Sequence, residues 1–170
     1  MTKPIRVAIL IEDFYQDLEV WYPYLRFREA SFQTAFVGVG GVKNYTGKNG
    51  YPLTADKDIR EVKGADLKGL IIPGGWAPDF LRQNDDVLGL VREMEKAKKP
   101  IGAICHAGWV IASAGIVKGR KVTSYVAIKD DLVNAGATWV DAEVVVDRNL
   151  VTSRTPMDLP AFCREMLKLL

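Results

Sequence analysis

The sequence predicts an α/β fold of three layers, a mostly parallel central sheet with helices on both faces. Two observations carry this. Short apolar runs alternate with longer segments of helical periodicity, and strands that alternate with helices pair in parallel. Runs such as residues 5–11 (IRVAILI) and 70–72 also lack a polar face, as strands covered on both sides require. The length fits: 170 residues with 48% hydrophobic and 26% charged positions supply one such core and not two. Residues 1–170 are therefore read as a single domain.

In order, residues 5–11 form the first strand, and residues 17–30 have helical character with Trp21, Leu25 and Phe27 among the apolar positions. Pro23 falls inside that segment, so the helix either kinks there or begins there. Residues 33–39 read as a strand, and residues 44–53, with Gly47, Asn49 and Gly50, as a turn or small hairpin. Residues 70–72 form a strand stopped by Pro73-Gly74-Gly75; residues 86–98 follow as an amphipathic helix. Residues 100–104 are a further strand, running into a helix over 106–114 that Gly115 stops. Strands are expected at 122–124, 142–146 and 150–153, the last two joined by the tight turn Asp147-Arg148-Asn149. A final helix starts at Pro156, with Leu159, Phe162, Cys163, Met166, Leu167 and Leu170 on one face.

Lys+Arg 23 against Asp+Glu 21 leaves a charge of +2, which argues neither for nucleic acid nor for a membrane surface. No stretch approaches the ~20 apolar residues of a membrane span, and the N-terminus lacks a small-residue cleavage site. Two distant cysteines are too few for a disulfide scaffold. A soluble cytoplasmic protein with reduced thiols is expected. Without Cys-x-x-Cys, with one histidine and with no Gly-Lys-Ser/Thr loop, neither a dithiol centre, a zinc site nor a phosphate loop is indicated. Gly38-Val39-Gly40-Gly41 lacks the third glycine of a dinucleotide fingerprint, and Lys43 stands in its place. No cofactor or metal is expected.

In open parallel sheets the site lies beyond the carboxyl ends of the strands. The only histidine, His106, directly follows Cys105 there, between a strand and a helix. Ala103 and Ala107, two residues either side of the cysteine, are small enough for the tight reversal of a nucleophile elbow. A helix N-terminus there lowers a thiol's pKa and favours the nucleophilic thiolate. The N–H of His106, with Gly74 or Gly75 on the neighbouring strand, could hold an oxyanion. A buried, inert cysteine beside a helix-capping imidazole remains the other reading. His106 needs an orienting carboxylate, for which Asp79, Glu12, Asp13, Asp17 and Glu19 are candidates. Cys163 belongs to the core face of the last helix.

With these residues in place, the chain resembles the PfpI family of intracellular proteases, within the superfamily of the parkinsonism-associated protein deglycase. The likeness rests on Asp17-Leu18-Glu19 before Tyr22-Pro23, Thr46-Gly47-Lys48-Asn49-Gly50, Pro73-Gly74-Gly75 and Ala103-Ile104-Cys105-His106. Later matches include Thr123-Ser124-Tyr125, residues 128–136 and 141–147, and Thr152-Ser153-Arg154-Thr155-Pro156. The resemblance implies a flavodoxin-like sandwich with Cys105 as nucleophile and Glu19 sharing a proton with its sulfur. It implies that the partner of His106 comes from a neighbouring subunit and maps onto Asp79, where the family usually has glutamate. The chain also reads Cys105-His106-Ala107-Gly108 where the family has Cys-His-Gly-Pro.

The function so implied is a stress-protective cysteine enzyme, a deglycase- or glyoxalase-type hydrolase. It would act on small reactive carbonyls or on glycated proteins and peptides, with His106 moving protons. An intracellular cysteine peptidase and a non-catalytic redox sensor oxidised at Cys105 are the alternatives. A homodimer or homohexamer is expected, with no nucleic-acid or membrane partner.

Overall fold

The computed structural model describes residues 6–41 and 43–170. The first strand, β1 (Val7–Ile11), is buried at every position; Ile5, expected at its start, lies outside the described residues. Helix α1 (Asp17–Glu29) is continuous through Pro23, so it begins well before the proline. Its N-cap is Gln16, whose side chain accepts a 2.9 Å hydrogen bond from the Glu19 N–H. Strand β2 (Thr34–Gly38) follows, then the antiparallel hairpin of β3 (Asn44–Thr46) and β4 (Pro52–Thr54). A two-residue strand, β5 (Lys57–Asp58), pairs in parallel with β2.

Strand β6 (Gly69–Ile72) leads through Pro73-Gly74-Gly75 into a short helix that sequence periodicity had not signalled, α2 (Ala77–Leu81). Helix α3 (Asp85–Lys96) is capped by Asn84 and is followed by β7 (Ile101–Ile104). A single 3-10 turn, Cys105–Ala107, separates β7 from α4 (Gly108–Ser113), so the helix expected from residue 106 starts two residues late. The strand expected over 122–124 is also different. Strand β8 (Lys121–Val122) pairs with β9 (Thr138–Trp139) outside the central sheet, with α5 (Lys129–Asn134) between them. The chain closes with β10 (Val144–Asp147), β11 (Leu150–Ser153) and α6 (Leu159–Leu169).

The seven-stranded sheet has the order β10-β11-β7-β6-β1-β2-β5, and only β10 runs antiparallel to its neighbour. Helices α1 and α6 pack together as one covering layer; α3 and α4, with α2 and α5 against α4, form another. This is the flavodoxin-like sandwich. The α6 face is sunk in the core through Leu159, Phe162, Cys163 and Met166. A Cβ on Gly102 would lie 2.6 Å from Phe162 Cζ, so the glycine in β7 lets the ring settle on the sheet. Burying that ring is worth about 2–3 kcal/mol. Among the described residues, no helix is long and apolar enough to cross a membrane.

From β1 the chain moves to β2 on one side and later to β6 on the other. The crevice between those two excursions, beyond the carboxyl ends of β1, β6 and β7, is the place where such sheets hold ligands.

Candidate active site

Three loops are tied together in that crevice. Tyr15 and Gly75 form an isolated antiparallel bridge, the Gln16 N–H donates to the Gly74 carbonyl at 3.1 Å, and the Trp76 N–H donates to the Phe14 carbonyl at 3.0 Å. The loop after β6 is thereby fixed against the start of α1.

Cys105 stands at the end of β7 with φ +62, a left-handed conformation that strains any side chain but glycine. The reversal brings its sulfur to 3.3 Å from His106 Nδ1, although adjacent residues usually point apart. A Cβ on Gly74 would lie 2.6 Å from Cys105 Cβ and 2.6 Å from Glu19 Oε2, so only glycine fits between nucleophile and carboxyl.

Glu19, in the first turn of α1, is wholly buried against this elbow. Its Oε2 accepts a 2.7 Å hydrogen bond from the Gly74 N–H, while Oε1 is buried without a hydrogen-bond partner. Gly74 is thus committed to the carboxyl, and the N–H groups that face the sulfur are those of Gly75 and His106. An orphaned carboxylate oxygen is costly in such a place. Burial accordingly pushes the Glu19 carboxyl up to about 7, against the pull of Gly74, Cys105 and Lys48.

The thiol departs from the sequence expectation. Burial first, and then the charge of Glu19, push Cys105 up to about 12, outweighing the Gly75 and His106 N–H groups that favour its thiolate. Two anions cannot be accommodated together. Each group therefore resists ionising while the other is charged.

Burial, and then the charge of Lys48, lower the His106 pKa, which favours the neutral ring. Its ring stacks on Tyr125 at 5.0 Å and meets Trp109 edge-on at 5.3 Å. Trp109 is fixed in turn by donating from Nε1 to Asp131 Oδ2 at 2.7 Å.

Among the described residues no carboxylate hydrogen-bonds to His106. Asp79 is exposed on α2 and does not line the cavity. Glu12 accepts from the Asp13 N–H, Asp13 from the Thr46 N–H, and Asp17 from Asn49 and Tyr51. Nor does any group of three His, Cys, Asp or Glu among the described residues form a metal site.

A cavity of about 210 Å³ opens over Cys105 and His106. Gln16, Lys48, Trp76 and Tyr125 line it, none of them among the expected site residues. Gln16 and Trp76 lie on the loops after β1 and β6, where the sheet places a site, but for Lys48 the only residue-level signal is the turn Gly47–Gly50, and nothing in the sequence says that this hairpin tip folds over the elbow. A larger groove of about 570 Å³ along α1 and the hairpin has no cysteine, histidine or serine in its lining.

A family model for the DJ-1/PfpI family matches residues 5–169. A deglycase of Pyrococcus abyssi is 44% identical over 168 residues, covering 98% of this chain and 99% of its own length. The protein/nucleic acid deglycase 2 of Escherichia coli is 42% identical, with 97% of each chain covered, and general stress protein 18 of Bacillus subtilis is 40% identical over the same shares. Among solved structures, a two-domain Anabaena variabilis protein with DJ-1/ThiJ/PfpI-like and ferritin-like domains superposes with a TM-score of 0.94 at 35% identity. That match covers 96% of this chain and 47% of the longer one, about half of it. Drosophila melanogaster DJ-1beta gives a TM-score of 0.91 at 26% identity, covering 98% of this chain and 91% of that one. The chain belongs to the DJ-1/PfpI family.

Proposed function

We propose that this member of the DJ-1/PfpI family is a cysteine-dependent enzyme acting on small reactive carbonyls or their adducts, with deglycase- or glyoxalase-type chemistry. The observation that carries the reading is the Cys105 sulfur at 3.3 Å from a neutral imidazole, beside a buried carboxyl whose proton it can share. Deglycase and stress-protein names among the relatives agree with it.

In the reactive form Glu19 keeps the shared proton and the sulfur carries the charge. The thiolate attacks an aldehyde carbon, and the resulting oxyanion is held by the Gly75 and His106 N–H groups. With an α-oxoaldehyde, His106 then moves a proton from the former aldehyde carbon to the neighbouring ketone carbon. The aldehyde carbon is oxidised to a thioester as the ketone is reduced to an alcohol. Water cleaves the thioester to a hydroxy acid and restores the thiol, with no external oxidant or reductant. With an amine adduct, the same hemithioacetal forms as the amine leaves.

One feature favours a small carbonyl over a peptide: the cavity of about 210 Å³ is small for an extended chain. Among the described residues His106 has no carboxylate partner within its own chain. If Asp79 supplies that partner, it does so from a neighbouring copy, and the active species is a dimer or larger. In turnover of methylglyoxal to lactate, Cys105→Ala is expected to lose at least ~1000-fold in kcat/KM. Equal rates in wild type and variant would refute the proposal.

A further inference from the structure

Lys48 is the one cation among the residues lining the cavity over Cys105. Among the described residues its ammonium takes part in no ion pair. Its backbone is pinned. The Lys48 N–H donates to the Tyr15 carbonyl at 2.9 Å, and the Gly50 N–H closes the turn onto the Gly47 carbonyl at 2.8 Å. The Asp17 carboxylate accepts from the Asn49 N–H at 3.1 Å, Asn49 Nδ2 at 2.9 Å and the Tyr51 N–H at 3.2 Å. A long cationic arm therefore springs from a rigid turn at the mouth of the site.

We propose that Lys48 is a specificity-determining residue that binds a carboxylate on the substrate, so that the site prefers an α-oxoaldehyde bearing an acid group to a neutral one. The inference rests on the carbonyl reading above. The negative charge of the cavity, on Glu19 or on the Cys105 sulfur, is buried, whereas Lys48 is exposed at the mouth. An acid group held away from the reacting carbons meets the ammonium there, in a partly enclosed setting where a charged pair gains more than it does in bulk water. Trp76 and Tyr125, also at the cavity, offer apolar surface for the carbon chain between acid and carbonyl. Chemistry at the reacting carbons is unchanged, and the acid group takes no part in it.

Lys48 also acts electrostatically on Glu19 and His106, an effect that would alter turnover of neutral and acid substrates alike. The test is therefore a ratio. Turnover of methylglyoxal to lactate is compared with turnover of dioxovalerate, methylglyoxal carrying a carboxymethyl group on its methyl carbon, to hydroxyglutarate. In Lys48→Gln the ratio of kcat/KM, acid over neutral, is expected to fall about tenfold through the KM for dioxovalerate, and Lys48→Arg to restore it within about threefold. Added salt should lower the wild-type ratio. An unchanged ratio in Lys48→Gln overturns the inference.

Binding is read separately by the slowing of Cys105 alkylation with levulinate, which has the acid and ketone of dioxovalerate without its aldehyde. Protection that is lost in Lys48→Gln supports the carboxylate site even if neither aldehyde is turned over, in which case the carbonyl reading alone fails. Protection that is the same in wild type and Lys48→Gln overturns it.

Discussion

The two cysteines have the same burial chemistry and opposite surroundings. Desolvation pushes both thiols up to about 12. Cys163 is 0% exposed on the core face of α6, with Phe162 and Met166 buried beside it. Cys105 is 9% exposed, in left-handed backbone, with an imidazole nitrogen, a buried carboxyl, backbone N–H groups and a cavity around it. Burial alone does not distinguish a reactive sulfur from an inert one. What differs is whether a neighbour can take the proton and whether a substrate can arrive.

The largest expected effect sharpens that contrast directly. Cys105→Ser is expected to lower carbonyl turnover by at least ~1000-fold, and Cys163→Ser to leave kcat/KM within about twofold. The cost of Cys163→Ser appears in stability instead, as about 1–3 kcal/mol for a buried hydroxyl in an apolar setting, read by urea unfolding. Comparable losses of activity in both variants would erase the distinction.

Next comes Gly74→Ala. The added methyl would lie 2.6 Å from both Cys105 Cβ and Glu19 Oε2, so elbow and carboxyl must separate. The expected result is about 1–3 kcal/mol of destabilisation and a fall of about 100-fold in kcat/KM. Near-normal activity would show that the carboxyl–sulfur contact is dispensable.

A smaller effect is the pH dependence of stability. The folded state raises Glu19 from 4.5 to about 7, so it holds the proton more tightly than the unfolded chain does. The stabilisation is complete below about pH 4.5 and is lost as pH rises through about 7. Relative to Glu19→Gln, wild type should lose about 3 kcal/mol across that window. Parallel stability curves for the two proteins would mean that folding leaves the carboxyl pKa at its ordinary value.

The sequence made the sheet legible where strands are apolar on both faces, as in β1, β6 and β7, and the helices legible where apolar spacing is strong, as in α3 and α6. It did not reveal β5 and β9, and it set β8 over 122–124 instead of 121–122; these strands are two residues each, and their pairing is set by tertiary context. Nor did it reveal α2, where Trp76-Ala77-Pro78-Asp79 has no periodicity to read. At the site, the small residues around Cys105 marked the elbow. Glu19 stood out only through family resemblance, because nothing in its spacing tells that it turns inward against the sulfur. The expectation of a lowered thiol pKa failed because desolvation depends on packing, which the sequence near a helix start does not encode. Lys48 was hidden for a related reason: it reaches the site through a hairpin tip clamped by Asp17, some thirty residues away.

The proposed reactivity of Cys105 despite its burial rests on one proton shared with Glu19. Alkylation of the native protein by iodoacetamide across pH 5 to 9, with the modified sulfur located by mass spectrometry, tests it most directly. Modification of Cys105 should rise through about pH 7 and exceed that of Cys163 by at least ~100-fold, the rise at about 7 vanishing in Glu19→Gln. Equal labelling of the two sulfurs, or a Cys105 profile that is the same with and without the carboxyl, would contradict the account.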